Sequence, residues 1–401
     1  MSNLSLSCRT AALLASAGLV GLVAASGAAQ AQSTGLAPIK FGLSNGGSLT
    51  LYGQVNKGIA QYDDGEATRS YGLVDNANSN TRFGLRYDQK FGDWAFQNVN
   101  EFAYAPYSTS DVNINTPNPN DYAWSNSNIR KIDFTLAQDG YGKFWAGQGS
   151  MATDGISEID LSGTDVIAYS SVGDSASAQL LRFSDGTLSN IQIQNVFKNQ
   201  DGDRRVRFRY DTPSFANFTF AAAFGRNLLS SNPDARDANL FDAAVRYKNT
   251  FNDTIDFQAG VGYNWRQGFS GGEDTNTWSG SASAIHSPSG VNFTLAAGTG
   301  ETTAGDNANF WYAKLGLLRG FFGEIGKTGM SIDYYDGTDF NLDTEAGITN
   351  SDSKSWGVAF VQNIDKANTQ LWLTWRNYQF SDSTSSFDDG NVVFGGARFK
   401  F

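Results

Sequence analysis

The chain has one cysteine, Cys8, one histidine, His286, and seven prolines in 401 residues. Arg9 supplies the only side-chain positive charge before the apolar run "AALLASAGLVGLVAA". Small residues at Ala29 and Ala31 then precede Gln32, so residues 1–31 read as an export signal. Cys8 would leave with that signal, which excludes a disulfide framework from the remainder, residues 32–401. Beyond the signal no apolar stretch is long enough for a transmembrane helix. A single histidine, without cysteine or a Gly-x-Ser-x-Gly context, gives covalent or acid–base catalysis little support; no enzyme activity and no cofactor is expected. The net charge of −11 becomes −12 once Arg9 is removed, which argues against a nucleic-acid partner.

What is abundant is glycine, 44 residues, and aromatic side chains, 13% of the chain, with only 17% charged residues. That balance suits strands and turns. Polarity alternates with period two along much of the sequence, the signature of an extended chain whose successive side chains point to opposite faces. In "TIDFQAGVGYNWR", Ile255, Phe257, Ala259, Val261, Tyr263 and Trp265 share one face. The other face carries Asp256, Gln258, Gly260, Gly262, Asn264 and Arg266, polar or empty positions. In "RRVRFRY", Arg205, Arg207 and Arg209 alternate with Val206, Phe208 and Tyr210.

Eighteen such segments can be marked, and the connections between them alternate in length. Short ones include "QKFGD", "DG" at 185–186, "NTFND" and "SPSG"; long polar ones include 106–126, 149–176 and 337–352. Tight turns at one end and long loops at the other are how outer-membrane barrels are built. Alternation by itself also fits a soluble sandwich. The loop asymmetry favours a barrel, as does the final segment "NVVFGGARFKF", whose Val393, Ala397, Phe399 and Phe401 are in phase. A last strand of that kind is a liability in an open sheet and is removed by closure. The expected fold is all-β, a single transmembrane antiparallel barrel spanning 32–401.

The sequence resembles the general porins of Gram-negative outer membranes in "LYGQV", "NTRFGLRYDQKFGDWAFQ", "RFRYDTPSFANFTFAAAFG" and the terminal Phe401, in that order along nearly all of the mature chain. The resemblance implies a barrel of the cell outer membrane, usually a homotrimer, in contact with lipid and lipopolysaccharide. It implies passive diffusion of small hydrophilic solutes and ions, and a long third loop, here 149–176, folded into the lumen. Sixteen strands are usual in that family; the stretch 177–198 looks like an additional hairpin, so both sixteen and eighteen strands stand as expectations. A substrate-selective pore for sugars or anions, and a non-conducting structural or receptor barrel, are the alternative functions.

In a barrel, guanidinium groups on the lipid face would cost about 2–4 kcal/mol each near the midplane, so the arginine face of "RRVRFRY" must be the wet one. By the same phase Arg82, Arg86 and Lys131 face inward. The family places acids on the third loop opposite such a basic wall, and residues 149–176 supply Asp154, Glu158, Asp160 and Asp165. The expected constriction therefore sets Arg82, Arg86, Lys131, Arg205, Arg207 and Arg209 against those four acids. Trp94, Trp145, Trp278, Trp311 and Trp356 are expected in aromatic girdles at the membrane interfaces.

Overall fold

The structure, a computed structural model, describes residues 38–118, 124–270, 272–302, 307–343 and 345–401. The expected export signal lies outside the described residues. Sixteen antiparallel strands, the first Ser48–Asp63 and the last Gly390–Lys400, pair in sequence order. The sheet closes where Gln54 to Asp63 pair with Lys400 to Asn391. Phe401 completes the seam, since its N–H donates to Gly53 O at 3.1 Å and its carbonyl accepts from Gly53 N at 2.9 Å. The in-phase aromatic ending thus belongs to a strand with both edges paired.

Two further strands lie in the same sheet. Ile39–Gly42 pairs with Ser48 to Leu51, on the edge that the last strand leaves free below Gln54. Thr68–Asp75 pairs with the upper half of Ser48–Asp63, while Arg82–Phe91 pairs with its lower half. The stretch 177–198 supplies no strand to the barrel wall. Its strands Leu180–Arg182 and Leu188–Gln192 form a separate two-stranded sheet, so the barrel has sixteen strands and the count of eighteen is corrected. The Asp185-Gly186 turn has the same local chemistry as a barrel hairpin. What differs is coverage: consecutive Leu180 and Leu181 are both buried, so neither face of that strand meets lipid.

Turn chemistry at the short end follows from the residues. In the three-residue turn between Phe251 and Ile255, Asn252 and Asp253 adopt φ of 49° and 55°, the left-handed region that Asn and Asp tolerate best among residues with a side chain. The alternation of polarity is realised as alternation of exposure. Phe208 is 75% exposed, whereas Arg207 and Arg209 on either side are 2% and 4% exposed. Exposed Leu85, Phe134, Val261, Leu295, Ile332 and Leu373 continue this apolar face around the sheet.

The opposite face is not uniformly polar. On the strands from Asn307–Arg319 to Gly390–Lys400 it carries Phe310, Tyr312, Tyr335, Trp372, Tyr378 and Phe394, all buried. They pack against Val166, Ile167, Val172, Ile193, Val196 and Phe197 of the connection 151–203. Segments such as "NFWYAKL" are therefore apolar on both sides, because one side is covered by another part of the chain.

Candidate pore constriction

The connection between Gly142–Ser150 and Arg204–Asp211 runs through residues 151–203, longer than the expected 149–176 because it includes the small hairpin. The connection ends in "NQDGD" at 199–203. Its first turn is gripped by Asp242, whose carboxylate accepts from Ala152 N at 3.1 Å, Thr153 N at 2.7 Å and Thr153 Oγ1 at 2.6 Å. Next, Ser281 Oγ accepts from Ile159 N at 3.0 Å and Ser283 Oγ from Leu161 N at 2.9 Å. The glycines of "AGVGY" explain the empty face of that strand. A Cβ on Gly260 would lie 2.5 Å from Ile156 Cδ1, and one on Gly262 would lie 2.5 Å from Thr153 Cγ2.

Further along, the fully buried Lys314 ammonium donates to Asp160 Oδ2 at 2.5 Å, Thr164 Oγ1 at 3.1 Å, Ser162 Oγ at 3.2 Å and Ala168 O at 2.5 Å. Asn76 Nδ2 donates to Val166 O at 2.9 Å, Tyr378 OH to Val172 O at 2.8 Å and Tyr335 OH to Lys198 O at 2.7 Å. Apart from Asn76, which caps a turn, these groups stand on strands and on the face opposite the exposed apolar one.

Where the two ends of the connection meet the sheet, charges gather. Arg130 Nε donates to Glu101 Oε1 at 2.7 Å, Tyr52 OH donates to Glu101 Oε2 at 3.0 Å, and Arg82 Nε lies 4.0 Å from the same carboxylate. A bulge accounts for Arg130: Glu101 pairs with Lys131 and Phe102 with Ile129, so Arg130 is the extra residue. Lys131 faces Glu101, Arg204 and Asp154 electrostatically. Arg204 Nε lies 3.6 Å from Asp154 Oδ2.

The acids of the connection differ in their protonation. Burial works to raise Asp154, but Arg204, a hydrogen bond from Ser150, Lys131 and Arg130 hold it below the usual carboxylate range. Burial and then the neighbouring Asp201 and Asp154 push Glu158 well above its ordinary value. Asp201 is pushed up to about 7 by burial and by Asp154, although its carboxylate accepts from Gly155 N at 2.6 Å and Ser157 N at 2.8 Å. Burial also raises Asp165, against the pull of Arg398 and Lys400.

Of the expected constriction residues, the structure therefore brings Arg82, Lys131, Asp154 and Glu158 into one region, with Asp165 against Arg398. It places the others elsewhere. Arg207 makes a bidentate pair with Asp133 at 2.9 and 3.0 Å. Arg209 is likewise bidentate with Asp211, at 2.7 and 3.0 Å, and donates to Met151 O at 2.6 Å. Arg205 pairs with Asp203 at 2.5 Å, and Arg86 with Asp88 at 2.9 Å. Asp160 is held by Lys314. Trp145 leaves the girdle: its Nε1 donates to Asp211 Oδ2 at 3.2 Å and Lys143 Nζ sits 3.7 Å from its ring centroid. Glu101, Arg130, Asp201, Arg204 and Arg398 were missed by phase and loop assignment. Arg204 was quoted within "RRVRFRY" but stands at the strand start, where alternation no longer fixes direction.

The model for "Gram-negative porin" matches residues 15–383. No curated protein matches the chain. Among solved structures, the chain is similar to an anion-selective porin from Comamonas acidovorans, with 15% identity and a TM-score of 0.58 over 88% of this chain and 100% of that one. It is similar to OmpF of Salmonella typhi, solved in complex with daunomycin, with 10% identity and a TM-score of 0.55 over 90% and 100%. It is also similar to the trimer form of OmpT, an outer membrane protein of Vibrio cholerae, with 14% identity and a TM-score of 0.52 over 88% and 99%. These likenesses show the fold, and the family match covers most of the sequence. The chain belongs to the Gram-negative porins, outer-membrane β-barrels that form channels for small solutes.

Proposed function

We propose that the connection 151–203 lies inside the barrel and narrows it to a waist through which small hydrophilic solutes and ions diffuse passively, without catalysis. One observation carries this reading. The connection bonds to Asp242, Ser281, Lys314, Tyr335 and Tyr378, on strands spread around a closed sheet, and always on the face opposite the exposed apolar one. A single segment can reach all of those only from within. The apolar core between 166–197 and the later strands fills that side. The open path then runs past Arg82, Arg130, Lys131 and Arg204 on the wall and Asp154 on the connection.

Fixed opposite charges across a narrow path orient dipolar solutes and resist apolar ones, which would have to displace held water. The barrel sits in outer-membrane lipid, in contact with lipopolysaccharide, and works as a homotrimer, in line with the trimeric relative. An anion-preferring pore is the second reading, supported by the excess of cations at the waist, where Arg82, Arg130, Lys131 and Arg204 face Glu101 and Asp154. Liposome swelling with sugars of increasing size tests the waist: small sugars should enter and larger ones should be excluded. Swelling with neither would contradict a diffusion channel.

A further inference from the structure

The small hairpin of the connection is held to the long-loop end of the barrel at several points. Arg182 Nη2 donates to Asp64 Oδ2 at 2.6 Å, in the loop that follows Ser48–Asp63, and Arg182 Nη1 closes its own turn on Gly186 O at 2.8 Å. Asp388 N donates to Arg182 O at 2.9 Å and Ser184 N to Ser386 O at 3.0 Å, so the loop before the last strand runs beside the hairpin. The rings of Phe183 and Phe387 lie 4.7 Å apart, and Tyr62 OH donates to Leu180 O at 3.3 Å. Tied to two neighbouring loops and a strand, the segment has a fixed place.

Alternation sets what it presents. In "SNIQIQN", residues 189–195, Ile191 and Ile193 alternate with Asn190, Gln192 and Gln194. Ile193, Val196 and Phe197 are buried, and the Phe197 ring lies 5.1 Å from that of Tyr378 and 5.8 Å from that of Tyr335. Those tyrosines stand on the wall face opposite the exposed apolar one, so the apolar side of the segment is taken up by the wall. The other side carries Asn190, Gln194 and Asn195, all exposed, with Gln192 half-buried among them. Between Gly186 and Gln200 the single charged residue is Lys198.

The bonding capacity of these amides is largely unused. Each offers two donor hydrogens and a carbonyl with two lone pairs. Gln194 Nε2 donates to Gln192 Oε1 at 2.5 Å, and the side chains of Asn190 and Asn195 make no hydrogen bond among the described residues. We propose that Asn190, Gln192, Gln194 and Asn195 form a contact site for neutral polyhydroxylated solutes, that is sugars, on the long-loop side of the charged waist. The inference rests on the channel reading above and names a solute class for it. A hydroxyl is at once donor and acceptor, and an amide answers both roles, whereas a carboxylate or an ammonium answers only one. Because the hairpin is anchored, the amides are presented in place and binding carries no further cost of ordering the segment.

The test is a sucrose titration of the wild-type protein in a planar bilayer while its ion current is recorded. A binding site interrupts the current in a saturable way; a solute that merely passes lowers it linearly, in step with bulk conductivity. The wild type should show saturable block. Asn190→Ala combined with Gln194→Ala and Asn195→Ala alters exposed side chains only, and heat-modifiable gel mobility confirms its fold. It should raise the half-saturating concentration about tenfold, for the loss of several net hydrogen bonds. Linear attenuation in the wild type, which needs no variant, would overturn the site and leave the channel standing. An equal half-saturating concentration in wild type and variant would do the same. A folded wild type that carries no ion current would remove the channel reading itself, and the site with it.

Discussion

Arg204 Nε lies 3.6 Å from Asp154 Oδ2, so the residue that resumes the barrel faces a carboxylate from the start of the connection that it terminates. The pair is neither fully buried nor free, with 34% and 12% of the two side chains exposed. In the proposed waist, Arg204, Arg130, Arg82 and Lys131 form the basic group that moving ions reach. Arg207 with Asp133 and Arg209 with Asp211 are closed off by bidentate pairing.

Neutralising the reachable group should therefore change permeation. Arg204→Gln combined with Arg130→Gln should move the reversal potential in a salt gradient toward cation preference. The same change at Arg207 should instead reduce folded yield, because it leaves Asp133 buried without its partner, a loss of about 3–5 kcal/mol. Reversal potentials and heat-modifiable mobility, measured on both variants, separate the two outcomes.

Lys314 holds the middle of the connection through its three N–H groups, shared among Asp160, Ser162, Thr164 and Ala168. Lys314→Met should leave the barrel closed, since its strand pairing is main-chain, while loosening residues 160–168. Asp160 then stays buried with Ser162 N as a donor but without its counter-charge, a penalty of about 3–5 kcal/mol borne by the connection. Limited proteolysis of the detergent-solubilised variant should cut within 151–203 where the wild type resists.

Most of the barrel was legible because period-two alternation survives wherever one face meets lipid, as in Val206, Phe208 and Tyr210. The strand count was not, because the hairpin around Asp185-Gly186 has the local chemistry of a barrel hairpin and differs only in being covered on both sides. Among the charged residues, phase sets Arg82 and Lys131 on the face opposite Phe83 and Ile132, and both lie beside Glu101. It could not show that Arg207 and Arg209 find Asp133 and Asp211, since ion pairing depends on register between strands. Nor could it find Arg130, which a bulge opposite Glu101 turns toward that carboxylate. Gly260 and Gly262 were visible as an empty face, and the structure supplies what fills it, Ile156 and Thr153.

Asp201, pushed up to about 7, and Glu158, also raised, give the waist a pH dependence. For an acid with a raised value the neutral form dominates below it, and negative charge appears as pH climbs through about 7. The Arg204 guanidinium remains cationic throughout. Raising the pH from 6 to 8 should therefore increase cation over anion permeability, and Asp201→Asn should blunt the change. The sign carries over to stability. The native state binds more protons than the unfolded chain between the ordinary carboxylate range and about 7, so these groups make the fold less stable as pH rises across that window. Reversal potentials at the two pH values, for wild type and variant, check the direction.

In the proposed reading, a closed barrel with oil outside encloses a water-filled path beside the connection 151–203. Single-channel recording in a planar bilayer tests it most directly, on wild type and on the Lys314→Met protein. The wild type should show discrete, ohmic openings, and the Lys314→Met protein larger or noisier ones. A purified, folded barrel that inserts and stays closed at every voltage in both forms would contradict it.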